Sequence, residues 1–267
     1  MSKEFHNVPE VLPVKPPDDL PKEKPLHPHL PKPPTLLMMI SPVKTGKSTI
    51  ISNLLLNENF YGQDYFDETH IISNTIHNDV TSRFLLKSFE CYDHYDDSII
   101  QSIVEAQKKY EKKEQPHISI VLDDCLGSIR REAVVNHLAS RFRHYGIKLL
   151  LISSQNFRNV SPVIRSNATA VIIGSPFPNS KELGKIASEL GDQFGGEKKF
   201  LQLYKYATPN RYDFLYLDLS ENPPHAYHRF SKKIAEGDKF FFDNNNIDVE
   251  DMDSETTETP EKFENNI

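Results

Sequence analysis

The 267-residue sequence has no tryptophan, two cysteines and no long apolar run. Cys91 and Cys125 lie far apart without metal-ligand spacing. That excludes a disulfide framework or a zinc motif and fits a reducing compartment. Without a run of about 18 apolar residues, no membrane-spanning helix is expected. The opening MSKEFHNVPEVLPVKPP is polar and proline-rich. It lacks the apolar centre of a secretory signal. Hydrophobic residues make up 37% of the chain, enough for one good core.

The net charge of −7 is unevenly spread. Residues 236–267 carry eleven acidic residues and two lysines, a net of −9, which leaves +2 on residues 1–235. A near-neutral body neither demands nor excludes nucleic acid. Ten of the nineteen prolines fall within residues 1–34. Proline fixes φ and removes donors, so this arm should be extended, without a core of its own. From Asp243 to Ile267 the chain is polar and acidic, the composition of disorder. The expected division is an arm at 1–34, a folded domain at 35–235 and an acidic tail at 236–267.

Between these ends, short apolar runs alternate with helical patterns. Leu36–Ile40, His70–Ser73, Ile118–Leu122, Lys148–Ser153 and Ala170–Ile173 read as strands. Lys47–Asn57, Ser98–Lys113, Arg131–Tyr145 and Ser180–Leu190 read as helices, the last two followed by the stop residues Gly146 and Gly191. Phe200–Tyr206 and Phe214–Leu219 read as a late antiparallel pair around Thr208-Pro209-Asn210. The alternation predicts an α/β fold with a mostly parallel sheet, helices on both faces and a late hairpin.

The segment Ser41-Pro42-Val43-Lys44-Thr45-Gly46-Lys47-Ser48-Thr49 follows an apolar strand and opens a helix. That is the setting of a phosphate loop, the Walker A motif. Consecutive backbone N–H groups and the helix N-terminus favour phosphate there. Gly46 permits close approach, Lys47 is placed for the β- and γ-phosphates, and Ser48 offers a hydroxyl to Mg²⁺. Ser41 stands where the motif has its first glycine. The expected ligand is ATP with Mg²⁺.

The strand Ile118–Leu122 ends in Asp123 and Asp124, a Walker B pattern. Asp123 is assigned to the metal shell and Asp124 to the attacking water. Successive strand residues point in opposite directions, so the two serve one site only if the chain turns at that point. Gln155, closing the strand at 149–154, is a candidate sensor of the γ-phosphate. Arg141, Arg143 and Arg165 flank that strand. An arginine from a neighbouring subunit can stabilise charge on a transferring phosphoryl group.

The order of these motifs, with Arg141-Phe-Arg-His-Tyr-Gly-Ile-Lys-Leu-Leu-Leu-Ile-Ser-Ser-Gln155 and Val163-Ile-Arg-Ser-Asn-Ala168, resembles the genome-packaging ATPases of large double-stranded DNA viruses and virophages, within the FtsK–HerA class. Arg143, Gln155, Arg165 and Asn167 match the positions of that pattern, over roughly Leu36 to Leu190. The resemblance implies a RecA-like core and a homo-oligomeric ring, a pentamer or hexamer. It implies ATP hydrolysis coupled to translocation of double-stranded DNA into a preformed capsid through its vertex or portal. It also implies that Arg143 or Arg165 acts across a subunit boundary. The expected place of work is the host cytoplasm at the assembly site, or the virion. DNA would be gripped through phosphates without regard to sequence. Arg130, Arg131, Arg158, Lys198 and Lys199 are the loop candidates. Two other readings stay open: a small-molecule kinase on the same loop, and a nucleotide-dependent scaffold without turnover.

Overall fold

The computed structural model describes residues 24, 26–78, 80–125, 133–177 and 180–242. Among these residues, ten strands form one sheet. They are β1 (Thr35–Ile40), β2 (Glu68–Ser73), β3 (Glu90–Tyr92), β4 (Ile118–Asp123), β5 (Ile147–Ser154), β6 (Ala170–Gly174), β7 (Phe214–Asp218), β8 (His225–His228), β9 (Lys232–Glu236) and β10 (Lys239–Phe240). Their order across the sheet is β10-β9-β8-β7-β6-β1-β5-β4-β2-β3. From β6 to β3 every pairing is parallel, and from β6 to β10 every pairing is antiparallel.

The sheet is covered on both faces, and its central strands show why. β1, β4 and β5 are buried at nearly every position and mostly apolar, because a parallel strand between two helical layers buries both of its faces. Alternate residues feed separate cores. Leu36, Met38 and Ile40 join Ile100, Ile103, Leu138, Ile186 and Phe200 on one face. Leu37 and Met39 join Ile51, Leu54, Leu55 and Leu85 on the other. The second layer therefore holds α1 (Lys47–Leu56) and α2 (Arg83–Ser88). The first holds α3 (Asp97–Lys108), α4 (Val134–Arg141), α6 (Ser180–Leu190) and α7 (Glu197–Ala207). The short α5 (Pro162–Asn167) links β5 to β6. Both edge strands are very short, which limits pairing with other chains.

Phe200–Tyr206 is not a strand. It lies within α7, whose buried residues Phe200, Leu203, Tyr204 and Ala207 recur at helical spacing. Aromatic β-propensity argued for a strand, but the 3-4-7 period decides. The late hairpin is built one step further on, from β7 with β8 and β8 with β9. α4 is also shorter than expected. It gives way at Phe142 to a 3₁₀ turn ending before Gly146, and the expected start at Arg131 lies outside the described residues.

The folded body reaches beyond 35–235 at both ends. Leu30 is buried in the α1-side core, and Tyr61 donates its hydroxyl proton to the Pro31 carbonyl. Past Glu236, β10 pairs with β9, and the rings of Tyr206 and Phe242 stack at 3.8 Å. Single apolar residues in a proline-rich or acidic setting gave no compositional sign of this. The expected disorder of the first residues and of 243–267 lies outside the described residues.

Candidate active site

The site lies where β1, β5 and β4 end together. β5 lies between the other two, and Ile40 pairs in register with Ser154 while Ser153 pairs with Asp123. The phosphate loop therefore opens on one side of Gln155 and the acidic pair on the other. The chain leaves β1 at Ser41, whose N–H donates to the Ser154 carbonyl at 3.0 Å. Lys44 (φ 61°) and Gly46 (φ 95°) take left-handed backbone, which wraps the loop over the start of α1. No side chain caps α1, and its first turn holds no acid. Its leading N–H groups are thus free for an anion, and its dipole favours one.

Ser41 needs no glycine backbone, since its φ is not positive. Thr45 Oγ1 donates to the Pro42 carbonyl at 2.5 Å, so the Ser41 hydroxyl donates to Thr45. This serine fits because of Gly174 at the end of β6. A Cβ on Gly174 would stand 1.9 Å from Ser41 Oγ and 2.7 Å from Ser41 Cβ. Gly174→Ala should therefore destabilise the chain by about 1–3 kcal/mol, as overpacking does. That lowers the melting temperature by several degrees. The double variant Gly174→Ala/Ser41→Gly should recover most of the loss in thermal denaturation. No recovery would mean that the pair is not coupled.

Asp123 is 6% exposed, between two serines that are its lateral partners in the sheet. Ser153 donates to Oδ1 at 2.5 Å and Ser73 to Oδ2 at 3.2 Å. Burial raises its carboxyl pKa above the ordinary value. Asp124 adds to the rise, while the serines and Lys47 oppose it without cancelling it. At Asp124 the backbone turns left-handed (φ 51°), the turn that two adjacent acids need to reach one site. Asp124 Oδ2 lies 3.1 Å from Lys47 Nζ and accepts from Gln155 Nε2 at 3.2 Å. Lys47, largely buried, also donates to the Ser41 carbonyl at 3.0 Å. Lys47, Asp124 and Gln155 thus form one connected cluster over the loop. Next to it, Cys125 is fully buried, and its thiol pKa is raised to about 12, which keeps it protonated and inert.

The donor set fits Mg²⁺–ATP. Among the described residues, no three His, Cys, Asp or Glu side chains converge to hold a metal alone. One buried carboxylate, Asp123, with the Ser48 hydroxyl on the first turn of α1 suits a cation that completes its shell with phosphate oxygens and water.

The arginines stand elsewhere. Arg143 lies in the 3₁₀ turn before β5, exposed, near the Phe142 ring. It is a full strand, about 20 Å, from the loop of its own chain. Arg165 on α5 pairs with Glu189 at 2.7 Å and stacks over Phe157 at 4.6 Å. Asn167 donates to the Val163 carbonyl of its own helix. None of the three joins the cluster.

Of the DNA candidates, Arg130 and Arg131 lie outside the described residues. Lys198 and Lys199 are exposed in the first turn of α7. Arg158, held by Glu182 at 2.9 Å, lines a hollow of about 500 Å³ beside Lys44, Gln155 and Arg211. It stands by the phosphate loop. Sequence reasoning missed Ser73 and Ser153, whose signal was a serine ending each apolar strand beside the acid. It also missed Arg211 and Tyr212, brought to the loop only by folding.

The fold is shared with solved structures. The DNA-packaging ATPase B204 from Sulfolobus turreted icosahedral virus superposes with a TM-score of 0.54 at 18% identity, over 73% of this chain and 98% of that one. The genome packaging NTPase B204 from Sulfolobus turreted icosahedral virus 2, in complex with AMP, gives 0.51 at 18%, over 72% and 96%. No protein-family model matches the sequence, and no curated protein does. At that identity the fold is what is shared, a largely parallel α/β sheet with helices on both faces. Among the described residues, no helix is long and apolar enough to cross a membrane.

Proposed function

We propose that this chain is an ATPase motor of the FtsK–HerA class that moves double-stranded viral DNA into a preformed capsid as a homo-oligomeric ring. The observation that carries it is the cluster of Lys47, Asp124 and Gln155 over an uncapped phosphate loop, beside a serine-held Asp123. Support for the DNA step is the shared fold with a DNA-packaging ATPase and the motif order read in the sequence. The proposed place of work is the host cytoplasm at the assembly site, or the virion.

Bound Mg²⁺–ATP supplies the γ-phosphoryl group and the cation that neutralises its charge. The protein's part is positioning and electrostatics. Lys47 exchanges Ser41 and Asp124 for phosphate oxygens. Ser48 and Asp123 would hold the cation. Asp124, released from Lys47, orients a water molecule and takes its proton, with Gln155 holding the carboxylate in place. Arg143, exposed and far from its own loop, is the better placed of the two arginines to meet a neighbouring subunit. Arg165 must first leave Glu189.

The test is ATP hydrolysis by the purified chain with and without long double-stranded DNA. DNA should raise the rate. A rate indifferent to DNA would move the reading to another phosphohydrolase or a kinase. Nucleotide bound but never turned over would favour a scaffold.

A further inference from the structure

The phosphate loop has an open hollow on each of its two sides. One is the 500 Å³ hollow with Lys44, Gln155, Arg158 and Arg211. The other is a groove of about 1040 Å³ that begins at Thr45, Gly46 and Thr49 and runs to Phe60, Tyr212 and Phe230. Gln155 and the acidic pair fix where the terminal phosphate must lie, on the first side. A nucleoside triphosphate stretched along the loop then directs its sugar and base into the second. That groove is at the upper end of the range for small-molecule sites and is walled by aromatic rings, as such sites are.

Two consecutive residues reach both sides. Arg211 lines the phosphate-side hollow and Tyr212 lines the groove. The ring of Tyr212 passes 3.5 Å from the point where Gly46 would carry a Cβ, so it lies against the loop. The Arg211 guanidinium sits 4.9 Å from the centre of that ring. The backbone is set for this, with Tyr212 in left-handed conformation at φ 72°. The next residue, Asp213, is 1% exposed and anchors the segment. It accepts from Arg229 Nε at 2.8 Å and from the Asn210 N–H at 3.0 Å. The far wall is also built. Phe230 packs against Phe60 and Phe214 at 5.7 and 5.2 Å, and its carbonyl lies 3.1 Å from His29 Nδ1. Yet Tyr212 is 52% exposed, a large aromatic ring held in place and open to solvent.

We propose that Arg211 and Tyr212 form a nucleotide clamp. Tyr212 offers its face to the base and ribose of a nucleoside triphosphate in the groove, and Arg211 covers the phosphates from the other side. The clamp rests on the nucleotide reading of the phosphate loop and adds to it the part of the site that recognises the nucleoside. Aromatic stacking accepts any base, so the clamp tells a nucleotide from bare phosphate more than one base from another.

Isothermal titration of the full chain with Mg²⁺–ATPγS and with Mg²⁺–tripolyphosphate tests this. ATPγS should bind at least about tenfold more tightly than tripolyphosphate. Tyr212→Ala should cost about tenfold for ATPγS and leave tripolyphosphate within twofold, while Tyr212→Phe retains the wild-type preference. Arg211→Gln should weaken both probes alike. Both residues are exposed, so these variants keep the fold, and circular dichroism checks it. Equal affinity of the wild-type chain for the two probes, or no effect of Tyr212→Ala on ATPγS, overturns the clamp while the phosphate loop stands. Binding of neither probe sinks the nucleotide reading and the clamp with it.

Discussion

Lys47→Ala lowers ATP turnover by on the order of 10²–10³-fold, the usual cost of removing one preorganised charge from a transferring phosphoryl group. The same change also disturbs the resting protein. Lys47 is largely buried, and its ammonium is shared between the Ser41 carbonyl and Asp124. Removing one partner of a buried pair costs up to about 3–5 kcal/mol, because the remaining charge is stranded. Here the cost is smaller, since the Asp124 side chain keeps 17% of its exposure and the Gln155 amide. Lost activity could therefore be blamed on lost structure. The double variant Lys47→Ala/Asp124→Asn measures the structural part alone, since Asp124 is itself assigned to the reaction. It removes both charges, so its melting temperature should recover toward the wild type, while turnover stays at the floor. Recovery of both would take Lys47 and Asp124 out of the chemistry. Recovery of neither would mean that the ion pair is not what holds the loop.

What the sequence made legible follows the range of each signal. The phosphate loop, Asp123, Asp124 and Gln155 are each written in about ten contiguous residues, a strand with a polar end or a loop opening a helix. The structure brings Lys47, Asp124 and Gln155 into direct contact. The strand order that puts Gln155 between loop and acids depends on pairings between distant segments, and no local pattern states it. Gly174 follows the strand read at Ala170–Ile173, and its role appears only when β6 lies beside β1. Tyr212 sat in a turn after a segment misread as a strand. Once Phe200–Tyr206 is helical, the following turn crosses back to the phosphate loop. The arginines show the opposite limit. Their pattern is visible in the sequence, but within one chain they stay away from the loop, Arg165 on Glu189 and Arg143 in the turn before β5.

Asp123→Asn should move activity and stability in opposite directions. Hydrolysis should fall by on the order of 10²-fold or more, because a neutral amide cannot replace the carboxylate proposed to hold the cation. The metal-free protein, however, should become more stable at neutral pH. Burial raises the Asp123 pKa, and the serine bonds do not offset it. A carboxyl that binds its proton more tightly when folded makes the folded state less stable wherever it is ionised. That cost is fully present above the raised folded value. It fades as pH falls through that value and is gone below the ordinary carboxylate range. Asparagine, close in shape and uncharged, never pays it, and Ser73 and Ser153 can turn their hydroxyls to meet the amide. In chelator-treated protein the variant should therefore melt above the wild type at pH 7 and level with it near pH 3. A variant less stable at every pH would show that the serine clasp outweighs the burial of the charge. On the proposed role of Asp123, a bound cation would offset that cost. Opposite shifts in hydrolysis and stability would mark Asp123 as a residue whose burial serves the proposed reaction at the expense of the fold.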